Sequence, residues 1–318
     1  MNMPNPLVSV IVLTYNHQPY IAQALDSILM QEVDFSYEIL VGDDGSQDGT
    51  SEIVWDYAQR YPERIRAFIR EKNLGPSLNL YETMRLARGK YMASCEGDDY
   101  WSDSRKLQLQ VDFLEANPQY IGCVHPIQIV DENNVPLKAQ KLQWLSTSSE
   151  HTFSLSSFRG VVVPGHGVSM VKRNLFLEDG FCGELIYQAD RNIADRTIAL
   201  LWLEHGDFYK MDRTMACYRK ASRGNNLTRK LYKNNPSKIL MDYEYTLRLE
   251  EYARSHGLNA GFQFHKEELF VKAVLIFLLH PSGDNYSIVA RILRESGHPF
   301  QFCRDFLPTA VRLLRRSV

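Results

Sequence analysis

Short apolar runs alternate with helical patterns through the first part of the chain, and this alternation most narrows the choice of fold. The runs at Leu7–Leu13, Tyr37–Gly42 and Ile65–Ile69, and the one that begins at Tyr91, are typical of strands. Between them, apolar residues recur at helical spacing. Strands that alternate with helices through short links form a mainly parallel sheet. The sequence therefore predicts an α/β fold with a mainly parallel sheet flanked by helices.

Polar residues follow three of these runs, where the strands should end. Thr14–Asn16 follow the first run, Asp43 and Asp44 follow the second, and Asp98 and Asp99 follow the last. Right-handed crossovers bring the carboxyl ends of parallel strands to one rim, where the ligands of open α/β sheets bind. The sequence therefore predicts that these three groups form one ligand site.

The adjacent carboxylates Asp98 and Asp99 indicate a cation. They repel each other unless a positive charge or hydrogen-bond donors hold them, and a hard divalent ion with phosphate ligands is a common partner. The alternative is a solvated turn in which the pair only ends the strand. The residues by themselves leave both interpretations open.

Other classes of ligand are disfavoured by composition and spacing. Residues 14–18 contain no glycine, whereas a dinucleotide fingerprint needs glycines after the first strand, which argues against a nicotinamide-dependent oxidoreductase. Charged residues make up 23% of the chain and the net charge is -2, so no basic field indicates nucleic acid. The five cysteines form no CxxC pair and have no histidine spacing for zinc.

The sequence favours a cytoplasmic protein. The amino terminus has no signal-peptide pattern, and an odd number of scattered cysteines fits a reducing compartment. The longest apolar run, Leu269–Leu279, contains Lys272 and is shorter than the roughly 20 residues that a membrane span needs. The tail Phe306–Arg316 is both apolar and basic, so the alternatives are an ordinary packed helix and peripheral contact with the inner face of the membrane.

The motifs at the strand ends resemble those of glycosyltransferase family 2. The matching segments are Val8–Asn16, Glu38–Thr50, Asn73–Gly75 and Glu96–Trp101. They occur in the family's order and at its usual spacings, from Pro6 to about Val130. The resemblance implies the GT-A fold, which is Rossmann-like, and an inverting enzyme that uses a nucleotide-diphosphate sugar, most often a UDP-sugar.

The resemblance also implies roles for individual residues. Thr14, Tyr15 and Asp44 would surround the base of the donor nucleotide. Asp98 and Asp99 would hold the metal, Mn²⁺ or Mg²⁺, and Asp98 the ribose as well. Glu96 stands where many members carry Asp, which leaves open which carboxylate touches the metal. The residues implied to contact the donor are Thr14, Tyr15, Asn16, Asp44, Asn73, Asp98, Arg219 and Arg223.

A second group of candidates lies beyond residue 160. Many family members have an acid that opens a helix and acts as general base, and Asp195 matches it; Asp190, five residues earlier, is the alternative. Without the resemblance, Asp195 would only interact with the helix dipole. His166 lies between two glycines in a predicted strand–turn–strand segment, Val161–Val171, and either approaches the phosphate or metal or, as the preferred interpretation, is a turn residue. Arg219 or Arg223 would bind the diphosphate as a basic segment closes over the donor.

The predicted organisation is a glycosyltransferase domain at 1–230 and a helical region at 231–318. Residues 1–130 would bind the nucleotide sugar, 131–230 would supply the acceptor and catalytic half, and 138–159 would form a loop facing the acceptor. The implied acceptor is a growing surface glycan, often lipid-linked, with no nucleic acid as partner. Two other functions stay open: a non-catalytic module that binds nucleotide sugars, and a nucleotidyltransferase on the same fold.

Overall fold

The computed structural model describes residues 5–138, 142, 145–146, 149–220, 236–296, 304, 306 and 309. The chain divides into two compact units. The first comprises Met1–Leu155 and Val162–Ser222, and the second comprises Ser156–Val161 and Arg223–Val318. Each unit is described by itself.

The first unit contains the strands and most of the short helices. Its strands are β1 (Val8–Thr14), β2 (Tyr37–Asp43), β3 (Ile65–Ile69), β4 (Tyr91–Glu96), β5 (Tyr100–Trp101), β6 (Tyr120–Val124), β7 (Ile127–Val130), β8 (Thr152–Phe153), β9 (Val171–Arg173), β10 (Asp207–Lys210) and β11 (Ala216–Arg219). The helices are α1 (Ile21–Leu29), α2 (Thr50–Arg60), α3 (Pro76–Met84), α4 (Lys106–Ala116), α5 (Leu155–Phe158, which continues into the second unit), α6 (Leu185–Gln188) and α7 (Asp195–Leu203). Short 3₁₀ turns lie at Gly167–Ser169 and Leu175–Leu177.

The main sheet confirms the predicted α/β fold. In the described residues its strand order is β3-β2-β1-β4-β9-β6-β10-β8, with β3, β2, β1 and β4 parallel. Strand β9 runs antiparallel to both of its neighbours, and β8 runs antiparallel to β10. All of β2 and nearly all of β1 are buried, because helices cover parallel sheets on both faces.

The three predicted strand ends meet at one rim. Thr14 pairs with Asp43 across β1 and β2, and Leu13 pairs with Glu96 across β1 and β4. A small second sheet, β5-β11-β7, lies beyond this rim. Strand β11 pairs with β5, which follows the Asp98–Asp99 turn directly, so Arg219 at the end of β11 is brought to that turn.

The second unit is helical in its described part, with α8 (Pro236–Ser255), α9 (Gln263–Leu279) and α10 (Gly283–Glu295) packed together. Their shared core contains Tyr243, Leu269, Phe270, Ala273, Ile288 and Ile292. None of the described helices is long and apolar enough to cross a membrane. Most of the predicted interfacial tail, Phe306–Arg316, lies outside the described residues.

Candidate active site

The turn after β4 sends its two adjacent carboxylates in different directions. Asp99 is buried, and its Oδ1 accepts a hydrogen bond from the backbone N–H of Arg219 at 2.8 Å. The side chain of Asp98 is 34% exposed, and its Oδ2 lies 3.8 Å from Nε2 of His17. The two neighbours therefore serve different parts of the site, with Asp99 facing inward and Asp98 facing the end of β1.

Asp99 forms an acidic cluster with Glu96 and His166. One potential ligand atom from each of the three residues lies within 4.8 Å of the others. The buried atoms Asp99 Oδ2 and Glu96 Oε2 have no hydrogen-bond partner among the described residues. Buried charged oxygens without donors are costly, and a cation satisfies them. The residues present thus fit a divalent ion, with Glu96 and Asp99 rather than Asp98 as its buried carboxylates.

Burial also makes these carboxyl groups hard to ionise when no cation is present. Burial, with the nearby charge of Asp98, raises the pKa of Glu96 to about 7. Burial and the charges of Asp98 and Glu96 raise the pKa of Asp99 well above its usual range. Both shifts follow from removing water from groups that repel each other, and a bound cation opposes both causes.

Two glycines allow the close approach of the groups around this cluster. A Cβ atom at Gly167 would lie 2.5 Å from Oε1 of Glu96. A Cβ atom at Gly97 would lie 2.7 Å from Oγ1 of Thr14 and 2.9 Å from Nδ1 of His17. Such contacts are too short for carbon, so neither position accepts a side chain without movement of its neighbours.

Asp44 connects the end of β2 to the Asn73–Gly75 turn. It is buried, and its carboxylate accepts hydrogen bonds from the N–H groups of Leu74 at 2.7 Å and Gly75 at 3.1 Å. Its own N–H donates to the carbonyl of Thr14 at 3.0 Å. The structure therefore brings together three of the motifs that the sequence placed around the nucleotide.

The other residues predicted to contact the nucleotide lie on the loops that follow β1 and β3. Asn16, with a φ of 57°, accepts a hydrogen bond from the N–H of Gln47 through its side chain at 2.8 Å. Tyr15 and Asn73 are exposed, whereas Thr14 is buried and its Oγ1 has no partner among the described residues. Asn16 thus shapes a loop, while Tyr15 and Asn73 stay open to a ligand.

Asp195 opens α7 and lines a pocket at the rim. The pocket's charged lining groups are Glu96, Lys172 and Asp195, beside apolar side chains such as Leu13 and Ile198. Asp195 is exposed as a residue, yet the protein around its carboxyl group removes enough water to raise the pKa of that group. The pKa is lowered in turn by His166 and Lys172 and raised by Glu96. A carboxylate with raised pKa at the edge of a pocket suits a general base.

Asp190, the alternative base, has a local structural role. Its Oδ1 accepts hydrogen bonds from the N–H groups of Asn192 at 2.7 Å and Ile193 at 2.9 Å, in the loop that leads into α7. It is not among the residues that line the pocket. The geometry favours Asp195 over Asp190.

The sequence matches the model of a known protein family. The family model described as "Glycosyl transferase family 2" matches residues 9–179, more than half of the chain. The chain belongs to glycosyl transferase family 2. The predicted family is therefore confirmed.

Relatives of this family 2 chain are similar over part of their length. This chain is 40% identical over 126 residues to "Uncharacterized protein Rv1520" of Mycobacterium tuberculosis, and the match covers 40% of this chain and 36% of that protein. It is 36% identical over 109 residues to "Putative teichuronic acid biosynthesis glycosyltransferase TuaG" of Bacillus subtilis, covering 34% of this chain and 42% of that protein. The chain spans about a third of the length of the first curated relatives it matches.

Two solved structures confirm the GT-A fold of this family 2 chain. TarS 1–349 of S. aureus, solved with UDP-GlcNAc, superposes with a TM-score of 0.63 at 19% identity over 90% of this chain and 79% of that one. The mannosyltransferase PcManGT of Pyrobaculum calidifontis, solved with GDP-Man and Mn²⁺, superposes with a TM-score of 0.52 at 17% identity, over 98% of this chain and 88% of that one. At these identities the similarity concerns the fold.

Arg219 has a structural position in this family 2 domain. Its side chain is buried and donates to the carbonyl of Asp98 at 2.8 Å, to Oδ1 of Asn134 at 2.7 Å and to Oε1 of Gln23 at 2.8 Å. The guanidinium also lies 4.4 Å from the centre of the Tyr20 ring. These contacts favour a structural role over the predicted contact with a diphosphate. Arg223 lies outside the described residues.

Replacing Arg219 by Met is expected to lower the free energy of unfolding by ~3 kcal/mol, because buried acceptors would lose a charged donor. Urea unfolding of both proteins measures this loss. Arg213→Met is the matched control, since Arg213 is more than half exposed and its pair with Asp103 should contribute less than ~1 kcal/mol. If Arg219→Met instead kept its stability and lost affinity for the donor, Arg219 would be a diphosphate ligand after all.

Lys172 was not among the predicted site residues, and the preferred interpretation of His166 was a turn residue. Lys172 lies on β9, a strand that reverses direction within the sheet, so its place beside Glu96 and Asp195 follows only from tertiary structure. Burial lowers the pKa of Lys172 to about 8, while the charges of Glu96 and Asp195 raise it. His166 carried a signal, the glycine on each side, and in the structure the second of these, Gly167, accommodates Glu96.

Proposed function

We propose that the chain transfers a sugar from a nucleotide-diphosphate donor, most often a UDP-sugar, to an acceptor hydroxyl with inversion at the anomeric carbon. The observation that carries this proposal is the pocket that joins Glu96 of the acidic cluster to Asp195, the candidate base. A cation site and a base on one pocket are what transfer from a diphosphate leaving group needs. TarS was solved with UDP-GlcNAc and PcManGT with GDP-Man, which supports a nucleotide-sugar donor.

The proposed chemistry needs few groups. Asp195 accepts the proton of the acceptor hydroxyl while that oxygen attacks the anomeric carbon from the face opposite the leaving group. The new carbon–oxygen bond forms as the bond to the phosphate oxygen breaks, and the nucleoside diphosphate leaves with the electron pair. Mn²⁺ or Mg²⁺, held by Glu96 and Asp99, would supply neutralising charge to the diphosphate when bound. Lys172 adds a positive charge to the same pocket.

The acceptor we propose is a cell-surface polysaccharide or a lipid-linked glycan. The support is the family and the name of TuaG, a putative glycosyltransferase of teichuronic acid biosynthesis. We place the reaction in the cytoplasm, with peripheral contact at the inner face of the membrane through the tail as the route to a lipid-linked acceptor.

The direct test is incubation of the protein with a panel of UDP- and GDP-sugars, Mn²⁺ and a membrane-glycan extract. The expected result is release of UDP or GDP, which ³¹P NMR detects. The ¹H spectrum should show that the anomeric configuration of the product is inverted. Release of pyrophosphate would instead show a nucleotidyltransferase. Binding of a nucleotide sugar with no turnover in any combination would favour the non-catalytic module.

A further inference from the structure

We propose that His166 is a nitrogen ligand of the cation beside Glu96 and Asp99, and that this ligand set makes the site prefer Mn²⁺ over Mg²⁺. The inference deepens the proposed function and rests on it in one respect: the cation is the one that a donor diphosphate would meet. The assignment of the ligands stands on the geometry of the described residues.

The separation between Asp99 and His166 fits a shared ion better than a direct bond. Nδ1 of His166 lies 3.7 Å from Oδ2 of Asp99. Hydrogen bonds between nitrogen and oxygen are about 2.7–3.2 Å long, so this distance is too great for one. Two ligands that are each about 2.0–2.2 Å from an ion lie up to about 4.4 Å apart. The same ion is within reach of Glu96, whose ligand atom lies within 4.8 Å of the other two.

Asp99 is fixed in the orientation that a ligand requires. One carboxylate oxygen is held by the N–H of Arg219 at 2.8 Å, and Arg219 is itself buried. The other oxygen, Oδ2, is buried, faces His166 and has no hydrogen-bond partner among the described residues. Asp99 is only 1% exposed and keeps one unpaired oxygen directed at the imidazole. It is therefore already oriented to serve as one ligand of a cation.

The imidazole ring is held just as firmly. It lies against the ring of Tyr218 with centroids 4.3 Å apart, and Nδ1 accepts the N–H of Val168 at 3.3 Å. This long contact requires Nδ1, the atom nearest Asp99, to carry a lone pair and no proton, and a cation bound to Nδ1 would take that lone pair in place of the Val168 N–H. Gly167 leaves the space that Glu96 fills on the other side of the cluster. Three elements of the chain therefore orient three ligand groups toward one point.

The preference for Mn²⁺ follows from the nature of the third ligand. Mg²⁺ takes oxygen ligands and keeps several waters, whereas imidazole nitrogen suits transition-metal ions. Asp98 would have offered a third oxygen, but its Oδ2 lies beside His17 and its carbonyl accepts from Arg219. Asp98 is thus left for the nucleotide.

The experiment measures metal binding without turnover. Mn²⁺ and Mg²⁺ are titrated into the protein alone and with UDP or GDP, and pulsed EPR of the Mn²⁺ form reads the hyperfine coupling of directly bound ¹⁴N. His166→Asn is the informative variant, because an asparagine oxygen can still accept the N–H of Val168 at the start of the 3₁₀ turn while it offers no ring nitrogen. His205→Asn is the control, since His205 lies beyond α7 near Glu178.

The wild-type protein is expected to show one Mn²⁺ site with a ¹⁴N coupling and weaker Mg²⁺ binding. His166→Asn should lose the coupling and weaken Mn²⁺ binding at least ~10-fold with little change for Mg²⁺, while His205→Asn matches the wild type. A ¹⁴N coupling that survives in His166→Asn, an unchanged Mn²⁺ affinity, or no Mn²⁺ binding under any condition would overturn the proposal. Failure of sugar transfer alone would not, because this readout needs no donor sugar or acceptor.

Discussion

Replacing Asp195 by Asn is expected to slow sugar transfer at least ~100-fold while the affinity for the donor stays near normal. The loss is the scale of a missing general base, because the amide cannot take the proton of the acceptor hydroxyl. Asparagine keeps nearly the same shape at the start of α7, so the pocket and its cation cluster should be unchanged. The release of nucleoside diphosphate measures turnover, and calorimetric titration with the donor measures affinity.

Asp190→Asn is the matched control for this substitution. Its remaining carbonyl oxygen can still accept the N–H groups of Asn192 and Ile193, so the loop that precedes α7 should keep its form. Turnover close to that of the wild type is expected. A large loss of turnover in Asp190→Asn together with normal turnover in Asp195→Asn would reverse the assignment. A collapse of donor affinity in Asp195→Asn would place that residue among the donor contacts instead.

Replacing Asp99 by Asn is expected to abolish metal-dependent turnover and, without metal, to stabilise the fold. The amide keeps an acceptor for the N–H of Arg219 but removes the charge at Oδ2 that the cation needs. The same removal relieves the metal-free protein of a buried carboxylate that repels Glu96, a group whose neutral form is favoured in the folded state. Turnover, and the urea midpoint in the presence of a chelator, are the two measurements.

The pH dependence of stability gives a second check on this cluster in the presence of chelator. Burial raises the pKa of Glu96 from 4.5 to about 7, so the folded state binds the proton more tightly than the unfolded state does. The resulting stabilisation is fully present below about 4.5 and is lost as the pH rises through about 7. Asp99→Asn should weaken the total pH dependence, because the carboxyl group of Asp99, whose pKa burial also raises, no longer titrates. Full activity of Asp99→Asn with Mn²⁺ would contradict the assignment of Asp99 to the cation.

The rim of the sheet was predictable because it depends on local patterns. Apolar runs and helical spacing predict the strands β1 to β4, and their parallel arrangement brings Thr14, Asp44 and the Asp98–Asp99 turn together whatever else the chain does. The different orientations of Asp98 and Asp99 were not predictable, because Asp99 is held by Arg219, which lies more than a hundred residues away in sequence.

The strand–turn–strand prediction for Val161–Val171 was wrong in part. Only Val171–Arg173 forms a strand, and Gly167–Ser169 forms a 3₁₀ turn instead. A run of branched residues favours a strand only when a partner strand lies beside it, and Val163 finds just an isolated bridge to Leu145. This 3₁₀ turn places His166 beside the acidic cluster. The wrong strand prediction and the preferred interpretation of His166 as a turn residue therefore have the same cause.

The contact between Gly167 and Glu96 ties two distant positions of the chain to one another. A larger residue at 167 would push the glutamate away from the cluster, whereas a shorter acid at 96 would leave room at 167, so the residue tolerated at 167 depends on the acid at 96. Directed evolution that enlarges the residue at 167 alone should therefore yield defective enzymes, whereas libraries that also shorten the acid at 96 should recover working combinations. We expect members of the family to follow the same rule, with the smallest residue in the facing turn wherever the acid is the longer one.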